Sequence, residues 1–144
     1  ELFAEEKEMI GKLKKVFLMV AGSAIQKFGT ELDQHQQLLM AAANILNEVY
    51  MAESTILRAE KNAKRFGEDA QDGQIAIAKL YLYNAVEIVA QNGKEGIISF
   101  AEGDEQRMML MGLKRFTKYT NYPNVIALRN EIAEKLKAAN KYCF

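Results

Sequence analysis

The sequence is poor in residues that interrupt or cross-link a chain, with one proline, one cysteine and no tryptophan among 144 residues. Proline breaks helices and normally makes up about 5% of a protein, so its scarcity favours long helices. The single cysteine, Cys143, excludes an internal disulfide framework. It is typical of a chain in a reducing compartment, so we expect a cytoplasmic location.

Long apolar runs and an excess of charge are also missing. The strongest apolar run, Val16–Ile25, is interrupted by Gly22 and Ser23. It has about half the ~20 residues of a membrane-spanning helix, so no transmembrane segment is predicted. The 19 Lys and Arg residues balance the 19 Asp and Glu residues. Without a basic excess, a nucleic-acid partner is not expected.

What is present is typical of a globular domain: 49% of the residues are hydrophobic and 26% are charged. This length is enough to enclose one hydrophobic core, so a single domain over residues 1–144 is predicted. The sequence starts without methionine and without a signal-peptide pattern. We therefore expect it to be a piece of a longer chain.

Glycine and proline divide the sequence into about five segments with helical periodicity, and no alternating strand pattern is present. The predicted fold is an all-α antiparallel bundle of about five helices, with long second and third helices. The first helix is predicted over about Ala4–Phe28, with Gly29 as its C-terminal cap. Its predicted buried face consists of Met9, Leu13, Val16, Val20 and Ala24.

The second helix has the most regular pattern. Thr30–Asp33 resembles a capping box and is predicted to start this helix, and Gly67 is predicted to end it. An apolar seam repeats at steps of four and three, typical of antiparallel helix packing. The seam residues are Leu38, Ala42, Ile45, Val49, Ala52, Ile56, Ala59, Ala63 and Phe66.

The third helix is predicted over about Gly73–Phe100, with Asp72 as its N-cap. Gly93 and Gly96 are expected to weaken its second half by about 1 kcal/mol each. Because its apolar residues lie on several sides, we expect it to be central or to face a partner. These residues are Ile75, Ile77, Leu80, Leu82, Val86, Ile88 and Val89.

Two shorter helices complete the predicted bundle. The fourth runs to about Tyr119, with Met109, Leu113 and Phe116 on one face, and the fifth has Pro123 at its first position. The predicted buried stripe of the fifth helix is Val125, Leu128, Ile132 and Leu136. The basic cluster Lys114, Arg115 and Lys118 is predicted to complement the dipole at the end of the fourth helix.

Candidate chemistry is sparse. His35 follows Glu31 by four residues, but a di-iron bundle needs two Glu-x-x-His pairs, so a surface histidine near a helix start is predicted instead. Cys143 has no histidine close in sequence, so we expect Tyr142–Phe144 to be an apolar tail docked on a helix. No glycine-rich phosphate loop occurs. We predict no catalytic, cofactor-binding or metal-ligating residue in this chain.

Two apolar groups leave room for a binding surface. Met108, Met109 and Met111 could fill an irregular core or form an adaptable interface, and both interpretations stay open at this point. Tyr81 and Tyr83 are predicted to point to different faces of their helix, so they do not form one aromatic platform.

Several segments, taken together in this order, resemble the extra C-terminal helical domain of long, very-long-chain-like acyl-CoA dehydrogenases of bacterial type. The resemblance extends from about Leu38 to the end of the chain and is weaker in the first helix. The segments are Tyr50–Ser54, Leu57–Lys61, Ala78–Tyr83, Phe100–Met108, Leu113–Tyr119, Ile126–Arg129 and Lys141–Phe144.

The resemblance implies a parent flavoprotein that oxidises acyl-CoA to trans-2-enoyl-CoA, with a glutamate base and FAD in a catalytic core outside this domain. It implies that the domain has no catalysis or cofactor of its own, and packs on that core and on a second subunit. A role at membranes is also implied for the family, but this sequence has no markedly basic amphipathic helix. The alternative is a stand-alone helical module that binds other proteins through its third and fourth helices.

Overall fold

The computed structural model describes residues 1–144, which form five α-helices and two short 3₁₀ helices. The α-helices are α1 Ala4–Phe28, α2 Gln36–Phe66, α3 Asp72–Phe100, α4 Gly103–Phe116 and α5 Val125–Ala139. There is no strand, so the predicted all-α bundle with long second and third helices is confirmed.

Helix α3 lies at the centre of the bundle and contacts all four other α-helices. The ion pairs Lys7–Glu60 and Lys14–Glu53 show that α1 and α2 run antiparallel. Helices α2 and α4 do not touch each other and lie on opposite sides of the α1–α3 pair, while α5 contacts only α3. The central position predicted for the third helix is confirmed.

The core consists of hydrophobic side chains, with no buried polar or charged residue. The buried face predicted for α1 is confirmed at all five positions, and Ile10 adds a sixth. Gly29 ends α1 with a φ of 54°, a left-handed conformation that glycine adopts without steric cost.

The seam of α2 is buried at seven of its nine predicted positions. Ala41 is buried where Ala42 was predicted, and Phe66 is exposed at the helix end. An α-helix has about 3.6 residues per turn, so a strict repeat of four and three drifts away from the line of contact. Ala41 lies on the side that faces α3, where a Cβ atom at Gly96 would lie 4.0 Å from Ala41 Cβ.

The predicted start of α2 at Thr30–Asp33 is wrong. Residues Gly29–Gln34 form a 3₁₀ helix instead, and α2 begins at Gln36. The tighter turn packs Leu32 against the core, and its carbonyl accepts a 3.0 Å hydrogen bond from the His35 amide. The capping-box pattern could not reveal this because it says nothing about where Leu32 must pack.

Gly93 and Gly96 do not interrupt α3, which is continuous to Phe100. A Cβ atom at Gly93 would lie 2.8 Å from Leu113 Cδ1, and one at Gly96 would lie 3.3 Å from Val20 Cγ1. The missing side chains therefore let α3 approach α4 and α1 closely, and this packing offsets the low helix propensity of glycine.

Three predicted helix ends differ by a few residues. Asp72 is the first residue of α3 rather than its N-cap, because a 3₁₀ helix over Asp69–Gln71 leads directly into it. Helix α4 ends at Phe116 rather than Tyr119. The N-cap of α5 is Asn124, whose side chain accepts a 3.0 Å bond from the Ala127 amide, so Pro123 precedes the helix.

The predicted buried stripe of α5 is wrong, since this helix has no fully buried residue. Val125, Leu128 and Ile132 are half-buried, and Leu136 is exposed. The physical reason is that α5 packs on one side of α3 and no further element covers its flanks.

Replacing Ala52 with leucine should overpack the α2 seam, because Ala52 is 0% exposed. Extra methylene groups in a closed core force side chains out of their rotamers and typically cost about 1–3 kcal/mol. Urea denaturation of the 144-residue chain should show that loss. The matched change at exposed Ala43 should leave the unfolding midpoint nearly unchanged; equal stability of the two variants would contradict the seam.

Candidate functional site

His35, which the sequence predicted to be a surface histidine near a helix start, lies in an aromatic contact. His35 immediately precedes α2, and its ring stacks on Phe28 with a centroid distance of 3.7 Å. The sequence predicted that His35 lies at the surface, but the structure shows it half-buried. No three His, Cys, Asp or Glu side chains lie together in a way that could hold a metal ion.

The C-terminal tail folds back onto the start of α3, as predicted for Phe144, whereas Tyr142 is 81% exposed rather than docked. A Cβ atom at Gly73 would lie 2.8 Å from the Phe144 ring, so glycine provides the space for this aromatic side chain. Gln74 Nε2 also donates a 3.4 Å hydrogen bond to the Phe144 carbonyl. Cys143 is exposed, and its Sγ lies 3.8 Å from the carbonyl oxygen of Lys135.

An ion pair joins α3 to α5 beside this tail. Lys135 Nζ lies 2.8 Å from Asp72 Oδ1, and both groups are partly exposed. The hydrogen bond from Lys135 lowers the pKa of Asp72, and the bond to Asp72 raises the pKa of Lys135. A carboxylate with a lowered pKa is a weak base. The Asp72–Lys135 pair is therefore better suited to holding α3 and α5 together than to acid–base chemistry.

The methionines of α4 do not all have the same role: one fills the core, and two are exposed. Met109 is buried in the core, whereas Met108 and Met111 are 72% and 71% exposed. Lys114 and Arg115 occupy the last turn of α4 as predicted, and Lys118 lies just beyond the helix. The exposed methionines therefore belong to a surface that also carries basic side chains.

The two tyrosines of α3 point in different directions, as predicted. Tyr81 Oη donates a 3.1 Å hydrogen bond to Glu48 of α2. The ring of Tyr83 instead faces Tyr119, with a centroid distance of 6.3 Å. The Tyr119 hydroxyl is buried without a hydrogen-bond partner, and burial raises its pKa. Sequence reasoning missed Tyr119, because nothing in its spacing shows that the chain turns inward after α4.

A second exposed apolar surface was not foreseen from the sequence. It lies on the outer side of the α1–α2 pair and carries Leu18, Ile25, Leu46 and Tyr50, all of them exposed. We call these four residues the α1–α2 outer face. None of the helices is both long and apolar enough to cross a lipid bilayer.

Comparison with protein families decides the classification. A family model described as "Acyl-CoA dehydrogenase, C-terminal domain" matches residues 12–115. The chain belongs to this family. The resemblance found in the sequence is therefore confirmed, and the match also includes most of α1.

Relatives of this acyl-CoA dehydrogenase C-terminal domain are considerably longer. A Bacillus subtilis (strain 168) protein named "Probable acyl-CoA dehydrogenase" is 34% identical over 138 residues, which are 96% of this chain and 23% of that protein. A crystal structure of an acyl-CoA dehydrogenase complexed with FAD from Bacillus anthracis is 35% identical, with a TM-score of 0.95. The structural match extends over 100% of this chain and over 25% of the Bacillus anthracis chain.

The ion pair between Asp72 and Lys135 should make stability pH-dependent. The pKa of Asp72 is lowered in the folded chain, so its contribution is present above the unfolded pKa of about 3.9 and is lost as the pH falls through the folded value. Asp72→Asn should lower the midpoint of urea unfolding at pH 7. The variant should also lose less stability than the unchanged protein when the pH is lowered from 7 to 3.

The control for this change is Asp33→Asn, since Asp33 is exposed and forms no ion pair. It should keep the pH dependence of the unchanged protein. If Asp72→Asn did so too, the pair would contribute nothing to stability.

Proposed function

We propose that this chain is the non-catalytic C-terminal domain of an FAD-dependent enzyme that oxidises acyl-CoA to trans-2-enoyl-CoA. The observation that supports this is the family match over residues 12–115, together with relatives of which the chain spans about a quarter. Residues 1–144 act as one domain, since a single hydrophobic cluster draws buried side chains from α1 to α4. We place the enzyme in the cytoplasm because its one cysteine in this chain is a free, exposed thiol.

The flavin and the catalytic base belong, in this proposal, to the rest of the longer enzyme. The cleft beside Asp72 and Lys135 is open to solvent, and it is lined by an ion pair rather than by donors that could cradle a pyrophosphate. Dinucleotide phosphates usually rest on a glycine-rich loop at a helix N-terminus, a pattern that the sequence lacks. The residues present therefore do not fit FAD.

The domain's own role is docking, which supports the stability or the assembly of the enzyme. Met108 and Met111 are candidate contact residues, because each exposes more than two-thirds of its surface on a short outer helix. Flexible thioether side chains adapt well to a partner surface. Their partner is the catalytic portion of the enzyme or a second subunit.

The purified 144-residue chain should be colourless and inactive. It offers no cradle for a flavin, so it should show no absorbance near 450 nm and no acyl-CoA-dependent reduction of an artificial electron acceptor. Titration with free FAD, followed by flavin fluorescence, is the measurement. A stoichiometric flavin bound with sub-micromolar affinity would overturn the assignment of the cofactor to the rest of the enzyme.

Removing this domain from the full-length enzyme should lower its melting temperature or change its oligomeric state, and should affect flavin reduction much less. Thermal melting, light scattering and single-turnover reduction of the bound flavin measure these three quantities. If Met108 or Met111 lies at a contact, Met108→Glu or Met111→Glu should reproduce the truncation, because a buried unpaired charge is costly.

The informative contradiction is a truncated enzyme with unchanged assembly and melting temperature but a collapsed reduction rate. That result would mean that the domain contributes a group to the active site.

A further inference from the structure

The two longest charge-free helical stretches of this chain lie side by side. Val16–Gln26 of α1 and Gln36–Asn47 of α2 contain no Asp, Glu, Lys or Arg. The Lys14–Glu53 ion pair, at 2.9 Å, fixes the antiparallel register of the two helices. The α1–α2 outer face begins next to this pair. On each helix its residues lie one to three turns from the charged residue, on the same side of the helix.

The outer face is apolar and open. Leu18, Ile25, Leu46 and Tyr50 are 66%, 57%, 48% and 69% exposed. Between them on α1 lies Gly22, where an added Cβ would have no neighbour within 4 Å. Glycine in an exposed helix costs about 1 kcal/mol relative to alanine, and no contact within this chain requires it here. An added Cβ at Gly11 of α1 would likewise meet no neighbour within 4 Å, so Gly22 shows only that the face is flat at this point.

The exposed methionines of α4 lie next to charged groups. On α4, Met108 follows Asp104 by one turn and Met111 precedes Arg115 by one turn, so these rows are interrupted by charged groups. Contiguous apolar surface that stays exposed usually marks a contact with another protein. The α1–α2 outer face instead carries four large apolar side chains on two neighbouring helices, and charge borders it at the end marked by the Lys14–Glu53 pair.

We infer that the α1–α2 outer face is the surface that docks on the catalytic portion of the same polypeptide. This inference rests on the proposed function, which makes the chain one domain of a longer enzyme. The supporting facts are that relatives have about three-quarters of their length outside the matched region, and that the face is small.

The size of the face favours a tethered partner over a second copy. A stable interface between separate proteins typically buries about 800 Å² on each partner. Four partly exposed side chains and the small residues between them provide less than that. A partner on the same chain is present at an effective concentration in the roughly millimolar range, so a modest contact is enough to keep it docked.

Cysteine labelling in the full-length enzyme tests this surface without the risk of disrupting the fold. Leu18→Cys and Leu46→Cys are compared with Met51→Cys, a matched control because Leu46 and Met51 are 48% and 49% exposed on different sides of α2. Labelling with a maleimide, read by peptide mass spectrometry, should be at least tenfold slower at positions 18 and 46 than at position 51. Cys143, exposed in this domain, is the internal reference.

Leu46→Glu provides a second measurement. It should lower the melting temperature of the full-length enzyme as far as deletion of the domain does, whereas Met51→Glu should not. Equal labelling at the three positions would overturn the inference. So would protection that is lost on dilution while light scattering reports dissociation into monomers, because the occupant would then be a second copy.

Failure of this inference can be told apart from failure of the proposed function. If deletion of the domain destabilises the enzyme but the outer face is fully labelled, the domain docks through another surface and the α4 methionines become the leading candidates. If deletion changes neither stability nor assembly, docking itself is wrong.

Discussion

The bundle depends on the close approach of α3 to the helices around it. At Gly93 and Gly96 the absence of side chains leaves room for Leu113, Val20 and Leu38, which fill the space next to the α3 backbone. Packing of this kind makes the interior dense and apolar, with no buried polar or charged residue, and the Tyr119 hydroxyl at its edge is the one buried side-chain group without a hydrogen-bond partner. The central position of α3, and the arrangement of α1, α2 and α4 around it, follow from this contact.

The same contact explains why the sequence pattern predicts most of the fold. Helices α1, α2 and α3 each bury a row of apolar residues at helical spacing, and glycines with positive φ end α1 and α2. Periodicity and glycine therefore carry the information about existence, type and order of these elements. What they lack is the position of neighbours, which is why a glycine that weakens an isolated helix turns out here to be a packing requirement.

The errors have a common physical origin. Leu32 fits the pattern of a helix start, yet its contact with the core imposes a tighter turn. The stripe of α5 looks like that of a buried helix, yet only one neighbour covers it. In both cases the local sequence is compatible with two structures, and a tertiary contact that no local pattern encodes selects between them.

The candidate site was harder to predict than the fold, because exposure depends on which helices are adjacent. Met109 and Met111 are two residues apart, and only their positions on α4 decide that one is buried and the other exposed. The family resemblance pointed to a docking domain, but it named no surface. The charge-free stretches of α1 and α2 were visible in the sequence, and became meaningful only when the structure placed them next to each other.

The single-sided packing of α5 has a consequence for how the domain opens. Proteins unfold locally in cooperative units, and the units with the fewest buried apolar contacts open first. Helix α5 has no fully buried residue and is held to α3 by half-buried side chains, the Asp72–Lys135 pair and the returning tail. Its amides should therefore exchange with solvent deuterium well before those of α2 and α3. Each such opening would briefly expose Gly73 and the neighbouring part of α3 to solvent, and to proteases or chaperones, while the four-helix core stays folded.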